Sequence, residues 1–315
     1  MSLPLVSVVI PTHDRAYLLR GAIESVLRQH GGPLDAPGAL EVIVVDDAST
    51  DDTPAVVGRY GGSVVSLRND QNRERGASRN GGATAARGLW LAFLDSDDEW
   101  EEGKLAAQLE AVDGSRACLT GSWLIDEKGG LLGMDVRGAP VPSAEIDLFN
   151  PYRAVPSSLL IDRALFAAIG GFPEEAEVQG AEDWLFMVKL LRAGCRPVLV
   201  RAPLIRYRIH GGNSTAKPDA YLRQSLNAVD WLERRGLLSP RRARAARAQK
   251  YEVAARAYAL EGEMRTAIRL WRRAAACEAS WCALLGRTAR AGLRAATHRA
   301  SRGWLDAARG MTSAG

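Results

Sequence analysis

Apolar, β-branched residues dominate the run from Val6 to Ile10, interrupted only by Ser7 and closed by Pro11. That pattern predicts a strand buried on both faces of a parallel sheet. Leu18, Leu19, Ala22, Ile23, Val26 and Leu27 then recur at three- and four-residue steps after Asp14. They predict a helix with Asp14 as its cap, ended by the Gly/Pro-rich stretch 31–38. Glu41 to Val45 is a second strand running into Asp46-Asp47-Ala48-Ser49, and Thr53-Pro54 opens a short helix. Val64 to Leu67 is a third strand, and Gly76 to Arg87 is a helix of small residues able to lie close to a sheet. Leu89 to Leu94 is a fourth strand, ending in Asp95-Ser96-Asp97-Asp98. The alternation predicts an α/β fold: an open, mixed but mostly parallel sheet flanked by helices, with ligands beyond the carboxyl ends of its strands.

Beyond Trp100 the pattern is less regular. It predicts a helix over Lys104 to Val112, strands flanking the turn at Asp126 to Gly130, and a strand over Ser157 to Ile161. A helix over Ala181 to Arg192 follows, with Glu182 and Asp183 in its first turn and Gly194 beyond its end. From about Tyr221 the chain reads as helical, with a hairpin over Tyr251 to Ala276 turning at Glu261-Gly262. Charge marks the same change. Residues 1–220 hold 22 Lys+Arg against 30 Asp+Glu, and residues 221–315 hold 19 against 7. We therefore expect two regions: an α/β body over 1–220 and a basic, Ala/Arg-rich helical region over 221–315. The basic region suits acidic lipid or a phosphorylated acceptor. Its sharper reading is a peripheral membrane surface built from Arg287, Arg290, Arg294, Arg299 and Arg302 beside Leu293, Trp304 and Leu305; its plainer reading is a packed helical cap.

With 47% hydrophobic residues, the chain has ample material for a core. The four cysteines, Cys118, Cys195, Cys277 and Cys282, form no disulfide framework, and the spacing of the last two without a second pair argues against zinc. The N-terminal apolar run lacks a preceding basic region and is far shorter than a membrane span, so it reads as a strand and the expected location is cytoplasmic. Asn213-Ser214-Thr215 fits a glycosylation acceptor, a role not expected in that compartment.

Three polar clusters carry the candidate chemistry. Asp95 and Asp97 supply hard oxygen ligands for Mg²⁺ or Mn²⁺, which would bind diphosphate oxygens; the alternative is an acidic loop capping the next helix. Asp46 and Asp47 can accept hydrogen bonds from a base or ribose, or can cap and turn the chain. Arg79 can reach a base or phosphate, or can be a solvated helix arginine. Asp183 can take a proton from an attacking hydroxyl, or can complement the helix N-terminus electrostatically. A nucleoside diphosphate is already a stable leaving anion, so one carboxylate base plus a metal site suffices for an inverting glycosyl transfer. His210, after Arg206-Tyr207-Arg208-Ile209 and before Gly211-Gly212, is a third candidate metal ligand in a setting read as flexible, where the arginines could close over a diphosphate.

Taken together, VSVVIPTHDR, EVIVVDDASTDDTP, ERGASRNGGATAARG, LAFLDSDDEW, GGFPE and AEDW resemble the inverting family 2 glycosyltransferases of GT-A fold, over roughly residues 5–212. The resemblance implies nucleotide contacts from Pro11, Thr12 and Asp14, and base or ribose contact from Asp47 with Asp46. It makes Arg79 a nucleotide-proximal arginine. Asp95, Ser96 and Asp97 become a DxD motif, with Ser96 beside the nucleotide and Asp97 the direct metal ligand. Asp183 becomes the base of an ED motif, and His210 a ligand from a late loop. His13-Asp14 departs from the commoner tyrosine-asparagine pair. The implied partners are a nucleotide-sugar donor, with UDP or dTDP as the expected nucleotide, and a glycan or lipid-linked acceptor, with no nucleic acid. Rival readings are a non-catalytic nucleotide-sugar binder with a helical interaction tail and a sugar-phosphate nucleotidyltransferase. A dinucleotide-dependent dehydrogenase and a phosphate-binding loop are disfavoured by Pro11-Thr12-His13-Asp14 and Gly82-Ala83 where glycines and Lys-Ser/Thr are needed.

Overall fold

The computed structural model describes residues 3–112, 114–135, 155–210 and 218–277. The tail arginines at 287–302 with Leu293, Trp304 and Leu305, Cys282, Asn213-Ser214-Thr215 and Gly211-Gly212 lie outside the described residues. The chain divides into two compact units, Met1–Leu237 and Leu238–Gly315.

In the first unit, β1 (Val6–Thr12), β2 (Leu40–Asp46), β3 (Val65–Arg68) and β4 (Trp90–Phe93) run parallel. β5 (Glu99–Trp100), β6 (Ala117–Ile125), β7 (Leu131–Asp135), β8 (Leu160–Asp162) and β9 (Val198–Arg208) join the same sheet. The spatial order is β3-β2-β1-β4-β8-β6-β9-β5, with β7 paired to β6. β8 runs antiparallel to both β4 and β6, whereas β9 is parallel to β6, so the sheet is mixed.

β1 continues through Pro11, where the apolar run predicted its end. Val9 O accepts from Leu94 N and Thr12 O from Asp47 N, so Pro11 faces the side of β4. That ladder stops at the level of Val9, and the missing proline N–H leaves no bond unmade there.

Helices cover both faces. α1 (Ala16–Leu27) packs Leu19, Ala22, Ile23 and Val26 against Val8, Ile10, Val42, Val44 and Leu94. α2 (Thr53–Gly58) adds Val56 and Val57 to that face. α3 (Glu74–Ala85), α5 (Arg163–Ala168) and α6 (Glu182–Arg192) cover Val9, Ile43, Val45, Leu91 and Phe93 on the other. Apolar residues of β1 thus enter opposite cores, Val6, Val8 and Ile10 on one face and Val9 on the other, which explains why hydrophobic residues dominate the strand. α4 (Lys104–Ala111) follows β5, and α7 (Pro218–Arg234) closes the unit, extending it beyond residue 220.

Two local features set the site. A Cβ on Gly82 would stand 2.4 Å from Val9 Cγ1, so the small-residue face of α3 docks directly on β1. Phe93, Phe166, Phe172 and Phe186 form a contiguous aromatic cluster, with Phe172 and Phe186 centroids 4.5 Å apart.

In the second unit, α8 (Pro240–Leu260) and α9 (Met264–Cys277) make the expected helical hairpin. Ser239 caps α8 by accepting from Arg242 N ahead of Pro240, and Gly262 turns the chain at φ 87°. Buried alanines, among them Ala254, Ala255, Ala267 and Ala274, line the interior.

Candidate active site

The carboxyl ends of β1 and β2 form one half of the site. Asp14 does not cap α1; Asp51 does, its Oδ2 accepting from Ala16 N at 2.9 Å. Asp14 instead sits in the left-handed region at φ 49°, a conformation its short polar side chain tolerates. Its Oδ1 accepts from Thr50 N at 2.6 Å and its own N–H donates to Ser49 Oγ at 3.0 Å. The loop after β1 is thereby latched to the loop after β2. The Thr50 N–H, against a small burial effect, holds the Asp14 carboxyl below the usual carboxylate range.

Asp46 Oδ1 accepts from Ser49 N at 2.9 Å and its Oδ2 pairs with Arg68. Turn formation therefore engages both of its oxygens. Asp47 Oδ1 accepts from Asn69 Nδ2 at 2.7 Å and Arg73 N at 2.9 Å, while Oδ2 has no partner among the described residues. Pro11 and Thr12 are buried at the same strand end, and the Thr12 hydroxyl has no partner among the described residues. A buried unsatisfied hydroxyl costs about 1–3 kcal/mol, a cost that a ligand would relieve.

Arg79, far from solvated, is 1% exposed. Nη1 donates to Glu182 Oε1 at 3.0 Å and Nη2 to Asp95 Oδ1 at 2.5 Å, with the guanidinium 5.2 Å from the Phe172 ring centroid. This arginine physically connects the acidic end of β4 to the first turn of α6. Burial opposes its charge, but Asp95 and Glu182 outweigh that and favour it.

After β4 the backbone turns, Asp98 N donating to Asp95 O, and Ser96 is buried within the turn. Asp97 Oδ2 contacts Arg15 Nη1 and lies 2.9 Å from His210 Nε2. Burial pushes the Asp97 carboxyl up, yet Arg15 and then His210 hold it below its ordinary range. Asp98 turns inward, accepting from Ser157 Oγ at 2.6 Å and Arg208 N at 3.0 Å. Burial first, then Asp97 and Asp95, push it well above the usual range. Asp95 and Asp97 thus diverge, one to Arg79 and one to Arg15. Among the described residues no three His, Cys, Asp or Glu side chains are grouped to hold a metal ion.

Of the stretch read as flexible, Arg206, Tyr207 and Arg208 belong to β9, and His210 lies two residues beyond its end. Arg208 is buried, donating from Nε to Asp97 O, from Nη1 to Asp126 O and Glu127 O, and from Nη2 to Glu99 Oε1. It braces the loop after β4 and is not free to close over a ligand.

Asp183 is half-buried at the start of α6. Oδ1 accepts from Trp184 N at 2.7 Å. Burial, then the neighbouring Glu182 charge, push its carboxyl up to about 6, against the Trp184 N–H, Arg79 and Arg75. Tyr207 reports its surroundings: burial first, then the charges of Asp98, Asp95, Asp97 and Asp183, raise the phenol. Arg15, Glu182, Asp98 and Tyr207 are not singled out by the sequence, and only Glu182, adjacent to Asp183, carries a local signal.

A mixed α/β sheet with acidic strand ends and a separate helix-borne carboxylate defines a GT-A-type glycosyltransferase fold. A mannosyltransferase, PcManGT from Pyrobaculum calidifontis, solved in complex with GDP-Man and Mn²⁺, superimposes with a TM-score of 0.57 at 20% identity, covering 92% of this chain and 81% of that one. Residues 7–153 match the family described as Glycosyl transferase family 2. The succinoglycan biosynthesis protein ExoO of Rhizobium meliloti (strain 1021) is 41% identical over 115 residues, which are 36% of this chain and 31% of that relative. WfaP of Escherichia coli, a UDP-Glc:alpha-D-GlcNAc-diphosphoundecaprenol beta-1,3-glucosyltransferase, is 26% identical over 224 residues, 70% of this chain and 84% of its own.

Proposed function

We propose that the chain is an inverting glycosyltransferase, moving a sugar from a nucleoside diphosphate, UDP or dTDP, to a hydroxyl of a glycan or lipid-linked saccharide. The observation that carries this reading is the Arg79 bridge, which joins the acidic end of β4 to the helix turn bearing Asp183. The name of the Escherichia coli relative supports a lipid diphosphate-linked acceptor.

On this reading the nucleoside lies across the ends of β1 and β2, with Asp47 Oδ2 and the Thr12 hydroxyl as its polar contacts. The donor set fits a divalent cation: the Asp97 carboxylate and the His210 imidazole converge at 2.9 Å, with Asp95 at the same strand end. These residues would hold Mn²⁺ or Mg²⁺, whose charge would neutralise the diphosphate leaving group. Arg79 pairs with the buried Glu182 and fixes α6 so that Asp183 faces the acceptor. With a carboxyl near 6, Asp183 is about nine-tenths ionised at pH 7 and still basic enough to receive the acceptor proton as its oxygen attacks. A protein that only bound nucleotide sugars would have no use for such a group.

Contact with an acidic membrane surface is part of the proposal, at the inner face of a cytoplasmic membrane. α9 holds Arg265, Arg269, Arg272 and Arg273 and no acidic residue, and Met264 and Ile268 are exposed on it. No helix among the described residues is long and apolar enough to cross a membrane.

Asp183→Asn tests the reading. Transfer falls by about 10²- to 10⁴-fold, while thermal stabilisation by UDP-sugars with Mn²⁺ is retained. Unchanged transfer removes Asp183 as the base, and full activity in EDTA removes the metal.

A further inference from the structure

We propose that Arg15 is an exchangeable cation: its guanidinium occupies the place of the divalent ion in the free protein and moves to the donor's diphosphate when that ion binds. The inference rests on reading the cleft as a nucleoside diphosphate site.

Three atoms meet at one point. Arg15 Nη1 contacts Asp97 Oδ2 and lies 3.2 Å from His210 Nε2, and that nitrogen is 2.9 Å from the same Asp97 oxygen. A ring nitrogen carries either a proton or a lone pair. Nε2 can donate to Asp97 or accept from Arg15, but cannot do both, so the three groups compete for one set of bonds. A metal ion bound by Asp97 and His210 would need the same Oδ2 and Nε2 atoms that Nη1 engages. The guanidinium and the ion therefore exclude one another.

The backbone prepares this position. Asp14, in its left-handed conformation, is latched to the loop after β2 by Thr50 and Ser49. Arg15 follows it in a non-helical conformation (φ −134°, ψ 32°) just ahead of α1, which directs the side chain toward Asp97. Arg79 and Arg208, by contrast, are tied to buried partners and cannot move without breaking them. Arg15 retains 27% side-chain exposure. Once displaced, its planar fork suits the adjacent oxygens of a diphosphate, and it offers charge there without leaving the cleft. One arginine thus keeps Asp97 neutralised in the free protein and contributes to donor binding afterwards.

The test titrates the full-length chain with Mn²⁺ alone by calorimetry, and then with inorganic pyrophosphate at saturating Mn²⁺. Arg15→Gln is expected to bind Mn²⁺ at least tenfold more tightly than the unaltered chain, and pyrophosphate at least tenfold more weakly. Arg15→Lys, which keeps the charge without the fork, retains the weaker Mn²⁺ affinity and loses part of the pyrophosphate affinity. Equal or weaker Mn²⁺ binding by Arg15→Gln overturns the exclusion, and unchanged pyrophosphate binding overturns the transfer. Asp97→Asn separates the two levels: if it leaves Mn²⁺ affinity intact, the metal reading of Asp97 fails and the proposal falls with it.

Discussion

Replacing Arg79 with methionine removes the buried side chain that joins β4 to α6, and the structure sets the size of the effect. Arg79 is 1% exposed and the Glu182 side chain 3%, so solvent cannot replace the lost guanidinium. Glu182 would keep the Gly180 N–H at 2.7 Å and Arg75 at 3.8 Å. Removing one member of a buried pair costs about 3–5 kcal/mol, because the other remains as an uncompensated charge. At about 2–4 °C per kcal/mol for a body of this size, the melting temperature falls by about 6–20 °C. Glu182→Gln in the same chain recovers part of the loss, since both charges are then gone. A double-mutant cycle should give a coupling of about 1–3 kcal/mol. Thermal and urea unfolding of the four proteins measures it. Ordinary surface ion pairs contribute about 0–1 kcal/mol, well below the range expected here. Arg79→Met within about 0.5 kcal/mol of the unaltered chain, or strict additivity with Glu182→Gln, would therefore refute the account of this bridge.

The pH dependence of kcat/KM should show an acid limb near 6, falling about tenfold per unit below it as Asp183 takes up a proton, and Asp183→Asn should abolish that limb; a rate flat from pH 5 to 7 would contradict the assignment. Gly82→Val pushes a side chain into Val9 and Val45 and should cost about 1–3 kcal/mol, read as a lower urea midpoint; an unaltered midpoint would mean that α3 does not dock closely on β1. Arg269→Gln with Arg272→Gln should weaken sedimentation with phosphatidylglycerol vesicles at low salt, and equal binding by the variant would count against α9 as the membrane surface.

The strands that place the site are legible where both faces are buried. β1 and β2 read as apolar runs because their hydrophobic residues enter one of two cores, and the acidic residues that follow them mark the strand ends. β9 is not legible. Its sequence alternates apolar residues with Arg201, Arg206 and Arg208 and contains Pro203, and only tertiary acceptors around Arg208 make such a strand tenable. Nor does sequence divide labour between Glu182 and Asp183. Adjacent positions on a helix point about 100° apart, and the partner that draws Glu182 inward lies 103 residues away at Arg79. Arg15 is invisible for the same reason: its contacts are 82 and 195 residues distant. Asp14 reads as a helix cap, but its carboxylate finds the loop after β2 while Asp51 takes the capping role.

The four phenylalanines lie beneath this chemistry. Phe93 precedes Asp95 by two residues, Phe186 follows Asp183 by three, and Phe172 supports the arginine that links them. Asp95 and Asp183 therefore stand on a shared keel of rings, so their spacing is tied to the packing of large rigid side chains. On the proposed function, trimming one ring would shift both carboxylates at once, which would make turnover more sensitive than donor affinity to changes that touch no substrate.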